Sequence, residues 1–179
     1  SNGKGKFVPA IVTSPDEMPD EKFPMILTTG RQLEHWHTGA MTRKASNLDA
    51  IEPEATASLS PKDIIIKNIQ PGELVKISTK RGSINIRVRE DSAIPEGVIF
   101  IPFCYNEAAA NLLTNPALDP IGKIPEFKYC AASIETLWFD MFKKIIILLL
   151  LSISLANCSD LKQLNEKAKG DGVPYIPGI

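Results

Sequence analysis

Both histidines of the chain fall in one short polar segment, Gly30-Arg31-Gln32-Leu33-Glu34-His35-Trp36-His37-Thr38-Gly39-Ala40-Met41-Thr42-Arg43. His, Arg, Trp and Thr gathered directly after an apolar run supply the donors and ring faces of a ligand loop. Arg31 and Arg43 suit oxyanions, because a guanidinium offers a planar fork of N–H donors to phosphate. The Thr28-Thr29-Gly30 turn ahead of them can present backbone N–H groups as a concave anion nest. His35-x-His37 also has the look of a metal pair, yet no carboxylate or cysteine at useful spacing completes a site, so no metal ligand is expected. A structural role is the plainer reading of a lone histidine; the company these two keep favours ligand contact. No nucleophile–base set stands out. Cys104 and Cys130 lie in apolar surroundings and read as buried, inert thiols. Neither common glycine-rich phosphate loop is present. Arg81-Gly82 reads as a hairpin turn, and Lys128, from its position alone, as a solvated cation. These residues describe a binding module with no catalytic residue of its own.

The elements that must position them are mostly strands. Residues 1–22 carry Pro9, Pro15 and Pro19 and few periodic apolar positions, so they read as an irregular N-terminal arm. Phe23 to Thr28 is a short apolar run closed by Thr29-Gly30, a buried strand ending at a turn. Residues 31–50 show no clear periodicity; a polar loop of about 20 residues in a compact domain is uncommon and usually functional. Ala55–Leu59 is a short strand candidate. Ser60 as N-cap and Pro61 at the first position open a helix reaching Asn68. Gln70-Pro71-Gly72-Glu73 fits a type II turn. Leu74–Ser78 and Ser83–Val88, either side of Lys80-Arg81-Gly82, form a hairpin, the second strand alternating apolar and polar. Pro95-Glu96-Gly97 turns the chain into a buried strand, Val98–Phe103. Glu107–Leu113 fits a two-turn helix stopped by Asn115-Pro116. Tyr129–Ile134 supplies a last strand. The fold class expected is mainly β with short helices, closed into a barrel.

The chain has 179 residues, 20 basic and 21 acidic, for a net charge of −1. That balance argues against a nucleic-acid partner, which calls for a basic face. Its three cysteines are far apart, which excludes a disulfide scaffold and a local structural zinc site. Composition changes near Leu137. Residues 1–137 hold 15 basic and 17 acidic side chains, and residues 138–179 hold 5 and 4. Met141-Phe142-Lys143-Lys144, an apolar core and then Leu155-Ala156-Asn157-Cys158 come in the order of a secretory signal ending at a lipoprotein-like cysteine. The core is about 12 residues long, short of the roughly 20 that span a bilayer. Three readings of 138–179 are open: a neighbouring reading frame joined to this one, a C-terminal membrane anchor, or a buried apolar helix. The first is favoured, and the lack of an initial Met leads us to expect a piece of something longer. The expected organisation is an arm at 1–22, a barrel at 23–137 and a signal-like tail at 138–179 outside the barrel.

Leu27-Thr28-Thr29-Gly30-Arg31 followed by His35-Trp36-His37-Thr38-Gly39-Ala40-Met41-Thr42-Arg43 resembles the opening of the C-terminal molybdopterin-dinucleotide-binding domain of the dimethyl sulfoxide reductase family. Ser60-Pro61-Lys62-Asp63, Gln70-Pro71-Gly72-Glu73, Ser78-Thr79-Lys80-Arg81-Gly82 and Ile94-Pro95-Glu96-Gly97 arrive in that family's order. Asn111-Leu112-Leu113-Thr114-Asn115-Pro116 and Pro125-Glu126-Phe127-Lys128-Tyr129-Cys130 are most similar to the formate dehydrogenase catalytic (alpha) subunits. The resemblance covers about residues 20–135. It implies a double-psi β-barrel. It implies binding of a molybdenum or tungsten bis(pterin guanine dinucleotide) through Thr29, Gly30, Arg31, Gln32, His35, Trp36, His37, Thr38, Asn111 and Lys128, which reverses the solvated reading of Lys128. It implies that the metal ligand and any iron–sulfur cluster belong to upstream domains of the same subunit, with electron-transfer subunits as further partners. The enzyme would oxidise formate to carbon dioxide, in the cytoplasm or the periplasm, while this piece alone would be inactive. The same domain of a nitrate reductase is the nearest alternative, and a membrane-tethered binding module the alternative of another class.

Overall fold

The computed structural model describes residues 3–9, 11–137 and 145–146. The chain divides into two units, Ser1–Thr136 and Leu137–Ile179. The signal-like run, Cys158 and the polar tether expected from the sequence lie outside the described residues, as does most of the apolar helical segment. Among the described residues, no helix is long and apolar enough to cross a membrane.

Six strands close into a barrel: β1 (Met25–Gly30), β2 (Thr56–Leu59), β3 (Leu74–Ser78), β4 (Ser83–Glu90), β5 (Val98–Pro102) and β6 (Cys130–Thr136). Their order around the barrel is β1-β5-β2-β4-β3-β6. Alternation builds the core: Met25 and Leu27 of β1, Val75 and Ile77 of β3, Ile84, Ile86 and Val88 of β4, and Ile99 and Ile101 of β5 all face inward and are buried. Ala57, Ala131 and Ala132 are buried too, small side chains among the larger ones of a closed barrel. Two short helices, α1 (Ser46–Ile51) and α2 (Pro61–Ile66), flank β2 in sequence.

Two pairings are parallel, β1 with β5 and β2 with β4. The β1–β5 register sets Gly30 opposite Pro102, so both strands end on one rim. Strand β6 runs antiparallel to β1 with Leu27 opposite Cys130, so the residues leading into β6 reach that same rim. Three segments far apart in sequence therefore meet there by backbone pairing.

The local signals mostly act as the residue types dictate. The Ser60 Oγ accepts from the Asp63 N–H (3.1 Å) and so caps α2, with Pro61 behind it in the first turn. Gly72 holds φ +84, and the Glu73 N–H donates to the Gln70 carbonyl (2.9 Å), closing the type II turn. Two expectations are corrected. The 31–50 segment contains a 3-10 turn at Thr42–Lys44 and then α1; that helix buries no residue, so it leaves no apolar periodicity. The two-turn helix expected over 107–113 is a single 3-10 turn, Ala110–Leu112. Ala109 is extended there, which lets Ala108 and Ala110 both bury.

Arg81 is more than a turn residue. Its guanidinium donates to both Glu17 carboxylate oxygens (2.6 and 3.0 Å), and its Nε to the Leu113 carbonyl (2.9 Å). Glu17 also accepts from the Ala131 N–H of β6 (2.7 Å), so the N-terminal arm is lashed to the barrel. The hydrogen bond from Arg81 holds the Glu17 carboxyl below its usual value. A depressed carboxyl contributes stability above its unfolded-state pKa, and the contribution is lost as pH falls through the folded-state value. Glu17→Gln should therefore cost about 1–3 kcal/mol at neutral pH, the range for leaving one partner of such a pair unmatched. Urea unfolding across pH checks this: the gap from the unmodified chain should close as pH falls below the ordinary glutamate value of 4.5.

Candidate functional site

The rim where β1, β5 and the approach to β6 meet carries most of the residues singled out from sequence. Two small cavities of about 350 and 200 Å³ open there. Arg31, His37, Phe103, Phe127 and Lys128 line the larger of these. Thr29, His37, Thr38, Phe103, Asn111 and Phe127 line the smaller. A wider cleft of about 570 Å³ adjoins them, with Arg31, Gln32, Glu34, His35, Trp36 and His37 among its walls. Arg31 and His37 are common to the wide cleft and the 350 Å³ cavity.

Each side chain has a definite setting. Thr29 is buried, and its Oγ1 donates to the Phe127 carbonyl (2.9 Å). Lys128 is not simply solvated: its Nζ donates to the Thr29 carbonyl (2.7 Å) and lies 5.5 Å from the centre of the Phe127 ring. One of the three ammonium donors is engaged, which leaves two for a ligand. Gly30 makes a close approach, because a Cβ there would run into the Cε2 edge of the Phe100 ring and displace it. His37 takes a left-handed φ of +50, a conformation non-glycine residues enter at a cost and mainly where function holds them. Its ring lies 5.3 Å from that of Phe103. Gln32 is turned aside, donating to Glu34 (2.7 Å), and that bond holds the Glu34 carboxyl below its usual value. Trp36 is 68% exposed, and its backbone N–H donates to Thr42 Oγ1 (3.0 Å).

The two arginines of the loop part company. Arg43 pairs with Asp49 (2.7 Å) and Glu107 (2.9 Å) and lies over the Tyr105 ring, so it serves the scaffold. Arg31 is exposed and has no hydrogen-bond or ion-pair partner among the described residues. His35 also departs from its neighbours: it is 1% exposed, with Nε2 bonded to the Glu52 carbonyl (2.8 Å). Sequence reasoning misses Phe103 and Phe127, which flank both small cavities. Phe103 ends the apolar run of β5 and looks like one more core residue; only the strand pairing shows the two rings as neighbours of the loop.

Neither small cavity is lined by a carboxylate, and burial pushes the Cys104 and Cys130 thiols up, away from the reactive thiolate. Among the described residues no group of three or more His, Cys, Asp or Glu could hold a metal ion. A cationic, ring-walled rim of this kind suits an anionic, heterocyclic ligand.

Residues 25–131 match the profile of the Molydopterin dinucleotide binding domain. The chain belongs to that family. This molybdopterin-dinucleotide-binding domain is 45% identical over 134 residues to an F420-dependent formate dehydrogenase subunit alpha of Methanocaldococcus jannaschii. It is 42% identical over 134 residues to the subunit alpha of F420-dependent formate dehydrogenase 1 of Methanococcus maripaludis. Each alignment covers 75% of this chain and 20% of the relative, so the chain spans one fifth of the length of those proteins. Among solved structures, acetylene hydratase from Pelobacter acetylenicus superposes with a TM-score of 0.58 at 22% identity, covering 64% of this chain and 18% of that one. At that identity the likeness concerns the fold.

The residues present fit a dinucleotide. Arg31, unpaired among the described residues, and the two remaining Lys128 donors suit phosphate oxygens, and Phe103 and Phe127 offer ring faces. Gly30→Ala tests how the rim is built: the Phe100 ring must move to admit the methyl, at a cost of about 1–3 kcal/mol. Thermal unfolding should show that loss, and Phe100→Leu in the same chain should recover most of it.

Proposed function

We propose that residues 23–137 are the cofactor-binding barrel of a formate dehydrogenase alpha subunit and hold the guanine dinucleotide of a molybdenum or tungsten bis(pterin guanine dinucleotide). The observation that carries this reading is the Arg31 guanidinium, without a partner among the described residues, sharing a cavity with Phe103, Phe127 and Lys128 in a chain 45% identical to such a subunit. The barrel is of the double-psi type; its two parallel pairs, β1/β5 and β2/β4, each joined through intervening strands, support that finer description. Thr29, Gly30, Arg31, Gln32, Trp36, His37, Thr38, Asn111 and Lys128 are the contact set, and none of them is catalytic.

When bound, the cofactor supplies the redox centre at which formate yields carbon dioxide, a proton and two electrons. This chain's own residues bind and orient. Arg31 and Lys128 neutralise phosphate charge, while the Thr28-Thr29-Gly30 segment, expected from sequence to form an anion nest, is the end of strand β1 and has its Gly30 backbone in the β1–β5 ladder. Phe103 and Phe127 offer ring faces to a heterocycle beside them. The metal ligand and the iron–sulfur cluster fall to preceding domains of the subunit, and electron-transfer subunits complete the enzyme. The sequence of residues 138–179 has the order of a signal-like segment. The relatives' names favour formate dehydrogenase over nitrate reductase, and nothing in the site favours a membrane-tethered module.

Arg31→Ala in a full-length alpha subunit should weaken cofactor retention by roughly tenfold, the worth of one charge-assisted hydrogen bond. Metal analysis by mass spectrometry and fluorescence of released, oxidised pterin measure it, with Arg31→Lys intermediate. Molybdenum or tungsten content equal to that of the unmodified enzyme would overturn the assignment.

A further inference from the structure

Glu52, at the C-terminal cap of α1, is a hub that no sequence motif marks. Its carbonyl accepts from His35 Nε2 (2.8 Å) and from the Tyr105 hydroxyl (3.0 Å). Its carboxylate accepts from Arg89 Nη2 of β4 (2.6 Å). The His35 and Tyr105 rings meet edge to face, 5.5 Å apart at 86°. His35 and Tyr105 are 1% and 2% exposed. One residue thus joins the ligand loop and the segment after β5 through its carbonyl, and the barrel wall through its side chain.

The chemistry of this joint decides what His35 can do. A carbonyl only accepts, so Nε2 carries a proton and donates it to Glu52. Nδ1 is buried and has no partner among the described residues. With the residue 1% exposed, that nitrogen is closed off from a ligand in the cleft. Burial pushes the Tyr105 hydroxyl well above its usual range, so it stays a donor at neutral and mildly alkaline pH. Two positions beyond His35 stands His37, held in the left-handed region at the mouth of both small cavities.

We infer that His35 is a positioning residue rather than a cofactor contact: with Tyr105 it pins the Glu52 carbonyl and so fixes the loop that presents Arg31 and His37. This rests on the cofactor reading above for its purpose, but the latch can be tested without any ligand. Amide hydrogen exchange on the full 179-residue chain is the first measurement. His35→Ala should speed exchange of the 31–38 amides by about five- to tenfold while β1 and β5 keep their protection, the size of one lost hydrogen bond. His35→Gln, whose amide can still donate to Glu52, should restore most of that protection. Tyr105→Phe keeps the ring and should give a smaller change of the same kind, which keeps the test open if His35→Ala fails to fold. Unchanged exchange in His35→Ala or in Tyr105→Phe would overturn the inference. A second arm uses guanosine diphosphate as probe, by calorimetric titration. His35→Gln should bind it within about threefold of the unmodified chain, a difference smaller than one hydrogen bond. If His35→Gln restores exchange protection yet loses about tenfold or more in binding, the size of a direct contact, His35 touches the ligand and the inference fails. If Arg31→Ala leaves guanosine diphosphate binding unchanged while the exchange results hold, the cofactor reading fails and the latch stands.

Discussion

The site depends on the parallel pairing of β1 with β5. Gly30 opposite Pro102 makes two strands finish together, so the 31–43 loop and the Phe103 turn leave the barrel side by side. Strand β6 then enters antiparallel at Cys130, opposite Leu27, and brings Phe127 and Lys128 alongside Thr29. Backbone ladders do most of this positioning, and they tolerate a wide range of sequence. One demand on residue type falls at the end of β1, where a Cβ on Gly30 would have to displace the Phe100 ring; another falls at Gly39, with φ +74 and the Cys104 carbonyl close by. The same ladder explains the anchoring of Lys128, whose ammonium reaches the Thr29 carbonyl near the end of the strand.

Charge is divided along similar lines. Arg43, Arg81 and Arg89 each meet a carboxylate, from Asp49 and Glu107, from Glu17 and from Glu52. Among the arginines of the described residues, Arg31 alone has no carboxylate partner, and it stands exposed at the mouth of a ring-lined cavity. A guanidinium with its donors open in this way is available to an oxyanion. In the sequence Arg31 and Arg43 are equals in one loop. Packing separates them, because α1 carries Asp49 to Arg43 and brings no carboxylate into pairing distance of Arg31.

What could be read in the residues was whatever obeys a local rule. Period-two alternation in β4, the Ser60 cap with Pro61 behind it, and the Gly72 turn each depend on a few neighbouring residues, and each appears where those residues put it. The closed, mainly β barrel results from several such strands in succession. The misses share one cause, dependence on a distant partner. Helix α1 buries nothing and so has no apolar face to recognise. Ala109 breaks the expected 107–113 helix because burial of both Ala108 and Ala110 outweighs helical propensity. Phe103 and Phe127 belong to separate segments and share two cavities only because the barrel closes. His35 and His37 stand almost side by side in sequence and meet opposite fates, one engaged by Glu52, the other at the rim.

A rim of this composition also bounds what the domain can contribute. It offers cations and ring faces, while its two described thiols are buried and held protonated. Such groups bind and orient an anionic heterocycle but cannot carry electrons themselves, so redox chemistry at this surface must come from what it holds. Catalytic advantage would then come from rigidity, since a positioned group displaced by about 1 Å can lose some hundredfold in rate. That gives the Glu52 hub its physical sense. A loop of exposed polar residues has little apolar burial to order it. A doubly accepting carbonyl beside it, on a residue tied through Arg89 to β4, supplies that order to the loop that carries Arg31 and His37.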